Sequence, residues 1–186
     1  RRQYRSAMWF FLRWGPCYGR HVAKKNKAYL DGLAEEDVAA WAADFVARRL
    51  LPRVRPVMRD RLNGHRRAGD LLVLLTGTPS FIAAPLAAGL GTGDWIATRC
   101  AAAAGRFTAA PPQTHPFGRE KLQRAAELGN RHGLSLSESV AYADSHYDLP
   151  LLSYVQRPVA VFPDRGLERA ARRYDWEIID GDHRSS

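Results

Sequence analysis

The sequence predicts an α/β fold, a parallel sheet with helices on both faces, joined to a smaller helical segment. Apolar runs such as Leu71–Leu75 and Pro158–Phe162 are continuous and do not alternate with polar residues, as in strands covered on both faces. Helix-length segments separate them, and such βαβα alternation implies parallel strands. Residues 1–60 carry no comparable run and read as helices, so the chain divides into a helical part, 1–60, and a sheet domain, 61–186. A chain of 186 residues suffices for one packed domain with an appendage.

Taken in order, Tyr4 to Trp14 is an aromatic-rich helix that Gly15-Pro16 breaks. Glu35, Glu36 and Asp37 suit the first turn of a second helix, in which Val38, Trp41, Phe45, Val46 and Leu50 recur at helical spacing as a packing face. A third helix spans 57–68. The first strand, Leu71–Leu75, runs into Thr76-Gly77-Thr78-Pro79 and an Ala-rich helix over 80–90. Gly89-Leu90-Gly91-Thr92-Gly93 resembles a dinucleotide fingerprint only superficially, because it follows a helix and lacks the spacing; it reads as a helix stop. Trp95–Thr98 is a short strand, Gly105–Thr108 part of a hairpin, and 118–132 a helix. Ser139–Ala143 has the length of a buried strand and runs straight into Asp144, and Asp148-Leu149-Pro150 opens the next helix, where Pro is tolerated in the first turn. A strand at 158–162, a helix at 166–174 and a strand at 176–179 complete the pattern.

Charge is concentrated at one end. Residues 1–67 hold 16 Lys/Arg against 6 Asp/Glu, whereas residues 68–186 hold 12 against 13. A basic first third suits phosphates, nucleic acid or an anionic membrane surface, and equally suits a solvated helical face. Cys17 and Cys100 are too few for a disulfide framework or zinc site and point to a reducing, cytoplasmic setting. No apolar run reaches membrane-spanning length; Met8–Leu12 is the greasiest stretch, and Arg13 ends it.

Chemistry-bearing residues fall at equivalent places in this pattern. Thr76-Gly77 leaves one strand, Lys121 opens a helix, and Asp144 and Asp148 leave another strand. Ligands of open α/β sheets bind outside the carboxyl ends of the strands. A hydroxyl, a backbone N–H, an ammonium and two carboxylates meeting there would suit a phosphate beside a hard divalent cation. Aspartates also serve turns and helix N-caps, which is the alternative for Asp144 and Asp148. Asp144, Ser145 and His146 are the residue types of a hydrolase triad, but sequence neighbours cannot converge as a triad must.

The segments Leu71–Pro79, Gly118–Lys121 and Tyr142–Pro150 resemble, in order, the second, third and fourth motifs of the haloacid dehalogenase superfamily, in its phosphoserine-phosphatase-like branch. Pro158–Asp164 and Trp176–Ile179 are similar to that family's closing segments. The resemblance implies a Rossmann-like core with residues 1–60 as a helical cap. It also implies Mg²⁺-dependent hydrolysis of a small phosphorylated substrate through an aspartyl-phosphate. Thr76 and Gly77 would bind phosphate, Thr76 and Lys121 would assist transfer, and Asp144 and Asp148 would hold the metal.

Two departures from the family pattern stand out. The Asp-x-Asp-x-Thr/Val motif that carries the nucleophile does not precede the helical segment; Asp31-Gly32 has no aspartate two residues earlier. The strand bearing that motif is central in the family's sheet, so its omission would leave backbone groups of both neighbours unsatisfied at about 1–3 kcal/mol each. The expectation is therefore an N-terminally shortened chain with a strand-wide slot between the strands ending at Thr76 and Asp144. The competing expectation is a non-catalytic module that binds phosphate, lipid headgroups or nucleic acid. The second departure is Tyr147, where many relatives carry Asn.

Overall fold

The computed structural model describes residues 26–181. The expected Tyr4–Trp14 helix and the tail from His183 lie outside the described residues. Two compact units divide the chain, residues 1–115 and 116–186.

The first unit begins, after a short 3₁₀ turn at Ala28–Leu30, with α1 (Glu35–Phe45). This helix continues through a π-helical turn over Val46–Leu50. Glu35, Glu36 and Asp37 occupy its first turn, where the exposed amide groups favour negative charge. Its buried stripe is Val38, Ala42 and Val46. Trp41 and Phe45, expected on the packing face, are 61% and 46% exposed among the described residues. The small Ala42 takes the inward position because α1 packs against α3 (Ser80–Leu90), whose buried residues are Ala83 and Ala87. Close approach of two helices leaves no room for an indole.

Helix α2 (Pro56–Ala68) starts with Pro at its first position and ends at Gly69, whose φ of +81° is the left-handed stop that glycine supplies without strain. Gly91 closes α3 the same way, at φ +64°, which bears out the helix-stop reading of the glycine run. β1 (Val73–Pro79) pairs in parallel with β2 (Asp94–Thr98), and α3 is the crossover between them. The hairpin β3 (Ala102–Ala103) and β4 (Arg106–Phe107) turns back onto residues 32–35 through Gly32 N–H to Phe107 O and Glu35 N–H to Gly105 O. It brings Phe107 into a cluster with Leu30, Val38 and Cys100, where Phe81 meets the Phe107 ring edge-on at 5.5 Å.

The second unit is built on a parallel sheet, β5 (Val140–Ala143), β6 (Arg157–Val161) and β7 (Glu177–Ile179), with β6 central. Helix α4 (Arg119–Arg131) precedes it, α5 (Leu149–Leu152) joins β5 to β6, and α6 (Arg165–Arg173) joins β6 to β7. Its core is Leu152, Ala160, Leu167 and Ala171, with Leu149, Trp176 and Ile178 packed around them. Fully burying each of the two leucines contributes about 1.5–3 kcal/mol. The parallel pairings and the strand–helix alternation are those the sequence predicts. Among the described residues, β1 pairs only with β2, and β5 only with β6. No helix among them is long and apolar enough to cross a membrane.

Candidate functional site

Each unit carries one of the two groups of residues singled out by sequence. In the first, β1 runs four residues further than expected and is irregular where it does so. Leu75 faces Ile96 and Pro79 faces Thr98, so Thr76, Gly77 and Thr78 stand opposite Ala97 alone. The extra residues bulge out of the ladder, a device by which strands re-aim side chains. The Thr76 hydroxyl accepts from Thr78 N–H at 3.1 Å and donates to Thr78 Oγ1 at 2.9 Å, which folds the bulge on itself.

The bulge is fixed from behind by a residue absent from the sequence-based site. Thr98, fully buried, donates its hydroxyl to Gly77 O at 2.6 Å. The same oxygen lies 2.9 Å from His115 Nδ1, so it accepts from Nδ1–H. His115 is buried and forms the back of this support.

The second unit brings Lys121 and Asp148 together. Lys121 sits in the first turn of α4, and its Nζ donates to Asp148 Oδ2 at 2.7 Å. Both side chains are largely buried, at 14% and 8% exposure, which makes this a desolvated ion pair. Asp148 also occupies the N-cap position of α5, yet its side chain makes no capping bond there. Its carboxylate serves the lysine instead.

Asp144 follows the last residue of β5 and is exposed. Among the described residues no hydrogen bond or ion pair engages its carboxylate. Thr76 and Gly77 belong to the first unit, and Lys121, Asp144 and Asp148 to the second.

The loop between Asp144 and Asp148 is held by Asp164, which the sequence reading placed only in a closing segment. Its Oδ2 accepts from Ser145 Oγ at 3.0 Å, His146 N–H at 3.0 Å and His146 Nδ1–H at 2.8 Å. Its Oδ1 accepts from Leu167 N–H at 2.8 Å and so caps α6. Desolvation alone would raise the Asp164 pKa. The Leu167 and His146 amides, the His146 ring and the Ser145 hydroxyl together outweigh it and hold the carboxyl well below its ordinary range. The Tyr147 ring packs at 4.6 Å from Phe117 and 4.1 Å from His146, so the residue that departs from the family pattern becomes part of an aromatic stack.

As a metal site, this donor set has the right chemistry in Asp144, a hard oxygen ligand with uncommitted lone pairs. Asp148 is already neutralised by Lys121 and suits a supporting role to bound water better than a second direct ligand. No group of three potential metal ligands occurs among the described residues. The residues present therefore fit a cation that keeps much of its water, as Mg²⁺ does.

The model of the haloacid dehalogenase-like hydrolase family matches residues 1–153. A histidinol-phosphatase of Neisseria meningitidis is 30% identical over 161 residues, covering 84% of this chain and 72% of the relative. A phosphoserine phosphatase of Mycobacterium tuberculosis is 31% identical over 157 residues, covering 84% of this chain and 51% of that protein. The chain thus spans only about half the length of the second relative. A crystal structure of a protein of unknown function from Bordetella pertussis superposes with a TM-score of 0.79 at 33% identity, covering 96% of this chain and 81% of that one. The family match and the relatives together show that the chain belongs to the haloacid dehalogenase-like hydrolases.

Proposed function

We propose that this chain is a Mg²⁺-dependent phosphomonoester hydrolase whose nucleophilic aspartate lies outside residues 1–186, with residues 1–60 serving as a cap over the substrate. The observation that carries the reading is the desolvated Lys121–Asp148 pair, four residues beyond the open Asp144 carboxylate at a strand's carboxyl end. Bound Mg²⁺ would supply charge neutralisation for the phosphoryl group as it is transferred. Asp144 would hold the ion, and Asp148 would orient its water while fixing the lysine. Lys121 would place its ammonium on the phosphate oxygens, where negative charge builds as the ester bond breaks. Thr76 Oγ1 and Gly77 N–H, in the bulge that leads to α3, would be phosphate-binding groups by the family resemblance.

The relatives' names support a small phosphorylated substrate, phosphoserine and histidinol phosphate among them. In the parent protein with its upstream segment, phosphate release from an aryl phosphate should require Mg²⁺, stop with a chelator, and be lost in Asp144→Asn. Full activity in that variant would remove the metal assignment.

A further inference from the structure

The loop that carries both proposed metal-site carboxylates is seated on the first turn of α6, and three features build that seat. Asp164 gathers donors from Ser145 and His146 on one carboxylate oxygen while the other caps the helix. Its own N–H donates to Asp144 O at 2.7 Å, so the backbone of the first carboxylate residue is tied down as well. Gly166, in the first turn of α6, gives the loop room: a Cβ there would lie 2.9 Å from His146 Cβ and 3.1 Å from His146 Cγ.

A strained residue delivers Asp164 to this place. Phe162, immediately after β6, has φ +45°, a conformation rare for a bulky side chain and costing on the order of 1–3 kcal/mol. Its N–H is anchored on Ile179 O at 2.7 Å, beyond the end of the β6–β7 ladder. The kink turns the chain so that Pro163-Asp164 crosses from β6 back to the loop after β5. Such strain persists only where surrounding contacts outweigh it.

We propose that Asp164 is a positioning residue for metal binding: with Gly166 it clamps the Ser145–His146 segment and thereby fixes how Asp144 and Asp148 are presented. It touches neither proposed substrate nor metal. The proposal rests on the metal reading above. Partners that orient metal ligands typically contribute about 10- to 100-fold in affinity.

The test uses the whole chain. Asp164→Asn keeps an oxygen for the α6 cap, but its NH₂ group faces three donors where the carboxylate accepted. Mg²⁺ binding by titration calorimetry should weaken roughly 10-fold or more. Amide exchange at His146 and Asp148 should accelerate while that at Val159 and Ala160 stays unchanged. Gly166→Ala, whose new Cβ would meet His146 Cβ at 2.9 Å and the capping Asp164 Oδ1 at 3.3 Å, should shift both readouts in the same direction. A lower melting temperature with unaltered Mg²⁺ affinity and unaltered exchange at His146 would leave Asp164 a helix cap only and overturn the proposal. Asp144→Asn separates the two readings. If it abolishes Mg²⁺ binding and Asp164→Asn does not weaken it, the positioning role is wrong. If Asp144→Asn leaves Mg²⁺ binding intact, or the chain binds no Mg²⁺, the metal reading fails and takes the positioning role with it.

Discussion

Removing both members of the Lys121–Asp148 pair should cost clearly less than the sum of removing each alone. The two groups meet at 2.7 Å with 14% and 8% of their side chains exposed, so neither can recover full hydration when its partner is lost. At an effective dielectric of about 20, unit charges 4 Å apart attract by about 4 kcal/mol, and part of that is spent on desolvation. Lys121→Met leaves the Asp148 carboxylate buried alone, and Asp148→Leu leaves the ammonium alone. Each should destabilise the second unit by about 3–5 kcal/mol. The double variant should cost about 2–3 kcal/mol less than the sum of the two single losses, which is the coupling energy of the pair. Because the chain has two units, a single melting temperature is a poor reporter. Hydrogen exchange of the Val159 and Ala160 amides, on the central strand of the second unit, follows the relevant opening. A coupling below about 0.5 kcal/mol would equate the pair with an exposed surface contact and refute the argument from burial.

Four further outcomes are expected. Thr98→Val removes the donor to Gly77 O and the acceptor for His115, and should cost about 1–3 kcal/mol in urea unfolding; a loss under about 0.5 kcal/mol would show the bulge to be self-supporting. Gly129→Ala should destabilise despite alanine's helix preference of about 1 kcal/mol, because the new Cβ meets Leu134 O at 2.9 Å; a more stable variant counters this. Asp164, with its pKa held down in the folded chain, stabilises the fold above the ordinary carboxylate pKa of about 3.9. The stability difference between wild type and Asp164→Ala should therefore be constant near neutrality and shrink as pH falls below about 4; a difference that grows on acidification contradicts the sign. Burial pushes the Cys100 thiol up to about 11, with only partial opposition from Lys27, so peptide mapping should find Cys100 unalkylated at neutral pH until urea is added.

The strand and helix order was legible because apolar runs of strand length and helix punctuation are local signals. Gly69 and Gly91, Pro56 and the acidic first turn of α1 each act over a few residues. The meeting of Lys121 with Asp148 was legible because strand and helix ends in a parallel sheet share an edge. The orientation of α1 was not, since periodicity does not say whether Trp41 or Ala42 faces a neighbour built of small residues. Thr98 and His115 were missed because their meaning lies in contacts across 21 and 17 residues of chain. Asp164 left a trace, an aspartate just before a helix, but capping explains that trace fully. Only the geometry reveals its second oxygen at work on another loop.

The bulge at Thr76–Thr78 has a consequence for how this chain can change. From Leu75 to Pro79 β1 advances four residues while β2, from Ile96 to Thr98, advances two. The surplus is an even number, so the inward and outward alternation of side chains is the same on both sides of it. Loss of one residue here would turn the rest of the strand inside out. Loss of two would leave the ladder straight and every core contact in phase. A short in-frame deletion would thus erase the turn proposed to bind phosphate and spare the fold, giving a route from enzyme to scaffold that passes through no misfolded ancestor.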